Sequence, residues 1–145
     1  MRKGCIVTVM CLVFGAIAMN GLAFAHGMEK HDKATMDDVQ MKKLHSMMPM
    51  FSEVSAKLET ALEKKNIVAV EAEAGKLLKS VPDLKKSKPH KNIKQRKKYV
   101  ELATNLEMAV NHTVSLAQKS DFAGAKVAFK KVEEACAACH TKFRD

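Results

Sequence analysis

Several things are missing from this 145-residue chain, and each absence removes a class of protein. No segment sustains an apolar/polar alternation, which argues against strands along its whole length. No apolar run reaches the ~20 residues needed to span a bilayer; the longest, from Cys5 to Ala18, falls short and gives way to Asn20 and Gly21. Beyond residue 25 only two cysteines remain, Cys136 and Cys139, and no second Cys/His cluster has structural zinc spacing. The βαβ pattern expected around a thioredoxin-like dithiol is absent. There is no paired carboxylate, nucleophile triad or phosphate loop, so no hydrolytic or group-transfer chemistry is indicated and the chain is not read as an enzyme. No internal repeat points to a solenoid.

The first 25 residues explain where two of the four cysteines go. Arg2 and Lys3 precede the apolar stretch, and Ala23-Phe24-Ala25 forms an A-x-A-like cleavage site, the pattern of a secretory signal. Cleavage after Ala25 and a periplasmic location are therefore expected. Losing two basic residues and no acidic one takes the formal charge from +9 to +7. Residues 26–34 have no periodicity and read as a flexible arm, in which His26 and His31 are weak metal-ligand candidates. Residues 35–145 then suffice for one domain with a modest core.

Within that domain apolar residues recur at spacings of three and four, which predicts four amphipathic helices. The first follows Thr35 as N-cap and carries Met41, Leu44, Met48, Phe51, Ser55, Leu58 and Leu62. Pro49 either kinks this helix, by removing the hydrogen bond to the carbonyl of His45, or marks its start. The second follows Asn66 with Ile67, Val70, Ala74, Leu77 and Val81, and is expected to end at Pro82. The third rises after Pro89 and carries Ile93, Val100, Ala103, Leu106, Val110, Val114 and Ala117. The fourth opens at Asp121 and reads Phe122, Ala125, Phe129, Val132, Cys136, Cys139 and Phe143. An all-α antiparallel four-helix bundle follows, with residues 82–90 as its one longer crossover.

The last ten residues, "CAACHTKFRD", carry the most specific signal. Cys136, Cys139 and His140 form C-x-x-C-H, the spacing of covalent c-type haem attachment. On a helix these positions share one face, so two thioethers and one iron-binding imidazole project together. Because the cysteines lie on the apolar stripe, one covalent haem c is expected in the bundle core, near the C-terminus.

A four-helix chain whose last helix ends in C-x-x-C-H-x-x-[FY]-R resembles the cytochrome c′ family, including its low-spin, six-coordinate relatives. The resemblance covers residues 26–145 and is sharpest over "CAACHTKFR". It implies that Cys136 and Cys139 carry the thioethers, that His140 is the proximal ligand and that Arg144 lies beside it. "VQMKKLHSMM" is similar to the family's first-helix pattern and places Met41 at the distal ligand position. Asp37 stands where the family often has an arginine. His45, one turn after Met41, is the rival distal ligand. The resemblance also implies pairing of two chains through their first two helices as the candidate assembly.

These readings point to a single-electron carrier with His140 and Met41 as axial ligands, a sulfur ligand favouring the ferrous state. If Met41 only packs, the alternative is a five-coordinate protein that binds nitric oxide or carbon monoxide. From Lys85 to Lys98 there are eight basic residues and no acidic one. Such a run is either a solvated basic face or a docking surface for an acidic redox partner or an anionic membrane. Nucleic acid is not expected as a partner of an exported protein with only Tyr99 nearby for stacking. His112 falls off the stripe and His90 belongs to the basic crossover.

Overall fold

The computed structural model describes residues 36–144; the expected leader (1–25), the expected arm (26–34) with His26 and His31, and the expected Thr35 cap lie outside the described residues. Within them the chain is four helices and no strand: α1 (Met36–Glu63), α2 (Ile67–Lys86), α3 (Arg96–Gln118) and α4 (Phe122–Phe143). Cross-helix pairs give the directions. Lys43 near the start of α1 meets Asp83 near the end of α2 at 2.9 Å, and Gln118 at the end of α3 donates to Glu71 near the start of α2 at 2.8 Å. Tyr99 early in α3 lies edge-on to Phe143 at the end of α4, with ring centroids 5.2 Å apart. The packing is that of an antiparallel four-helix bundle.

The two tight hairpins are built alike. Lys65 and Ser120 adopt left-handed φ values of 53° and 60°. In each case the next amide reaches back five residues, Asn66 to Ala61 at 2.9 Å and Asp121 to Leu116 at 3.0 Å, while the left-handed residue bonds three back. This is a Schellman ending, made without the usual glycine. The residue that completes it then caps the following helix. Asn66 Oδ1 accepts from Ala69 N at 3.1 Å and Asp121 Oδ1 from Gly124 N at 2.8 Å.

The predicted stripes meet in the core, where Leu58, Val70, Ala74, Val81, Val110 and Ala125 are fully enclosed. Met47, Val54 and Ala61 are also buried, so the α1 face is wider than a strict three-four pattern.

Two boundaries differ from expectation. α2 does not end at Pro82 but runs to Lys86. Pro82 has no N–H for the carbonyl of Leu78, a loss of ~3 kcal/mol in a helix interior, yet burial of Val81 and Leu84 on either side holds the turn in register. α3 begins at Arg96 rather than soon after Pro89, and Ile93, predicted on its apolar stripe, sits in the loop and is 49% exposed. α1 contains Pro49 and does not start there.

Residues 87–95 form the long connection, and its polar groups are well placed. Buried Ser87 and Tyr99 share a hydrogen bond of 2.7 Å, and both guanidinium nitrogens of Arg96 donate to carbonyls at the end of α2, those of Ser87 and Lys85. On the other side Lys91 N donates to Phe143 O at 3.2 Å and Asn92 Nδ2 to Lys142 O at 2.7 Å, so the loop closes the end of α4.

Candidate cofactor site

The antiparallel order brings the start of α1, the end of α2, the start of α3 and the end of α4 to one end of the bundle. α1 and α4 touch least of the neighbouring pairs. The gap between them is a cavity of about 310 Å³, within the range of small-molecule and cofactor sites. Leu44, Phe51, Leu84, Leu102, Leu106 and Phe143 make most of its wall apolar.

Cys136, Cys139 and His140 line this cavity together, as their shared helix face predicts. Both thiols are half-buried and unbridged. Burial, and then the Glu133 carboxylate, push the Cys136 thiol up; burial, and then Cys136, push Cys139 up to about 11. Both are therefore protonated thiols at neutral pH. His140 is held below the usual imidazole value, first by burial and second by the Arg144 charge. A lowered imidazole is neutral, the state that binds a metal. Arg144 lines the cavity, and its backbone N–H donates to His140 O at 3.0 Å. The residues fit a c-type haem: two free thiols and a neutral imidazole, spaced for attachment, facing one apolar space.

The opposite wall distinguishes the distal candidates. His45 and Met48 line the cavity. Met41 is partly buried against the core but is not among the cavity-lining residues, one heptad from Met48 along the same face. His112 is exposed, as its position off the stripe predicts.

One residue that sequence reasoning left in the basic crossover comes into the site. His90 lines the cavity and its Nε2 lies 3.1 Å from Nε2 of His45, the rings nearly parallel at 15°. No periodic signal marks it, because it sits in a loop. Among the described residues no helix is long and apolar enough to cross a membrane.

Comparison with known proteins agrees with this geometry. No curated protein and no solved structure matches the chain. The family model described as Cytochrome C' matches residues 81–144, the span that supplies the end of α2, the strap of loop over the cavity, α3 and the whole of the attachment helix. Haem c binding is what that family implies. Over that span the chain is similar to the cytochrome c′ family.

Proposed function

We propose that this protein is a periplasmic monohaem cytochrome that carries single electrons. The observation that carries the reading is the placement of Cys136, Cys139 and His140 on one wall of an apolar cavity whose facing wall holds His45 and Met48. Bound haem supplies a ferric/ferrous couple. Cys136 and Cys139 would hold it by thioethers, and His140 would bind its iron. Arg144 adds positive charge beside that ligand.

Met41 is the distal residue that the family resemblance implies. The cavity favours Met48 for the same role, since its thioether lies on the facing wall whereas Met41 is not among the cavity-lining residues. A thioether needs no deprotonation and favours the ferrous state, which suits a carrier of relatively high potential. His45 remains the rival on that wall. The apolar lining from Leu44, Phe51, Leu102 and Leu106 supports the second reading: without a side chain on the sixth position, the space suits carbon monoxide or nitric oxide.

The partner we propose is an acidic redox protein. Lys86, Lys91, Lys94 and Lys97 are exposed on and beside the loop that covers the cavity, so a docked partner would lie close to the haem edge. Contact with an anionic membrane surface and pairing of two chains through α1 and α2 are further proposals of the same kind. Substrate turnover is not proposed.

Absorption spectra of the mature protein with and without carbon monoxide test the reading. A low-spin spectrum with a methionine-to-iron band, unchanged by carbon monoxide, is the expected result. A high-spin spectrum that shifts with carbon monoxide replaces the electron carrier with the gas-binding reading.

A further inference from the structure

The cytochrome reading uses the thiols, His140 and one side chain of α1. It does not require the His45–His90 pair, whose geometry is specific. The two imidazoles come from separate parts of the chain, forty-five positions apart, yet their Nε2 atoms lie 3.1 Å from each other. With metal–nitrogen bonds of about 2.0–2.1 Å, two nitrogens that far apart meet at one ion with an angle of roughly 100°, between tetrahedral and square-planar values. His45 is exposed and His90 partly so, which leaves an ion a path to the pair.

The place of the pair in the fold gives such an ion something to do. On its α4 side the 87–95 loop is tied by Lys91 N to Phe143 O and by Asn92 Nδ2 to Lys142 O. Its tie to α1, across the mouth of the cavity, includes the bond between the two imidazoles. A metal would convert that single shared hydrogen into two coordinate bonds.

We propose that His45 and His90 form a second metal site, for a divalent transition ion of the copper or zinc class, which fastens the loop to α1 over the cofactor cavity. In the metal-free pair one ring donates its Nε2–H to the other. On binding, the donating ring carries its proton on Nδ1 instead, both Nε2 lone pairs go to the ion, and no net proton is released. Imidazole selects copper and zinc over calcium or magnesium, which prefer oxygen. The surrounding lysines oppose any cation, although Lys43 on the same helix is paired with Asp83 at 2.9 Å. Among the described residues no cluster of three metal-binding side chains forms, so two protein ligands are expected. Cu²⁺, the strongest imidazole binder of the series, is the best probe.

The site depends on the haem reading only for what it covers, so the two can fail separately. The test is calorimetric titration of the haem-loaded full-length mature protein with Cu²⁺ and with Zn²⁺, and electron paramagnetic resonance of the copper form to count nitrogen donors. One ion per chain with two imidazole nitrogens is expected, with affinity reduced by more than about tenfold in both His45→Ala and His90→Ala. Helical circular dichroism reports whether each variant has folded. Amide exchange in 87–95 of the unsubstituted protein should slow when Cu²⁺ is added. The proposal is overturned if no ion binds, if binding survives both substitutions and so resides elsewhere, or if His45→Ala changes the iron's coordination. A protein whose mass shows no haem would refute the cytochrome reading and leave the copper measurement to decide this one.

Discussion

Cys139 is an unreactive thiol by virtue of where it sits. Burial, and then the neighbouring Cys136, push its value up to about 11, so in a chain produced without haem only a small fraction is thiolate at pH 8. Alkylation of Cys139 in the unsubstituted haem-free chain, followed site by site by peptide mass spectrometry, should therefore accelerate about tenfold per pH unit from 7 to 10 and level off only near 11. A plateau near 9 would show that this end of the bundle opens when empty. That Cys136, Cys139 and His140 face one space was legible in the sequence because i, i+3 and i+4 share a helix face whatever the helix packs against. Which α1 methionine lines the cavity was not, because Met41 and Met48 are a heptad apart on the same stripe and periodicity treats them alike. We expect Met48→Ala to lose the methionine-to-iron band and gain carbon monoxide binding, while Met41→Ala keeps the band and loses some stability. The opposite pattern would restore Met41 as the ligand.

Helix ends make separate predictions. Lys65 holds a left-handed φ of 53° at the close of α1, so Lys65→Gly should raise unfolding free energy by about 1 kcal/mol in urea titrations. Asp121→Ala removes the acceptor for Gly124 N and should lower it by about 1 kcal/mol. Both caps were readable as Asn66 and Asp121, because capping is local chemistry. The end of α2 was not readable. Proline's local preference is to stop a helix, and only the burial of Val81 and Leu84 against other helices outweighs it. Arg96 belongs with these ends: sequence places it in a basic docking run, yet its guanidinium donates to the carbonyls of Lys85 and Ser87. Substituting it should cost stability more than partner affinity.

For the molecule as a whole, the proposed docking face predicts that electron transfer to an acidic partner slows as salt rises. Neutralising Lys91 and Lys94 together should flatten that dependence and leave the haem spectrum unchanged, as stopped-flow kinetics at several ionic strengths would show. A salt dependence that does not change would mean these lysines are only a solvated face. The all-helical class, the number of helices, both hairpin caps and the attachment motif could be read from the chain alone. Each depends on residues near one another in sequence, through helical period, capping or fixed spacing. The tertiary structure was needed to choose what faces the cavity from across the bundle. Which α1 side chain opposes His140, that α2 passes through Pro82, and that His90 meets His45 all follow from the antiparallel packing. That packing joins residues tens of positions apart, where no local preference can specify the outcome.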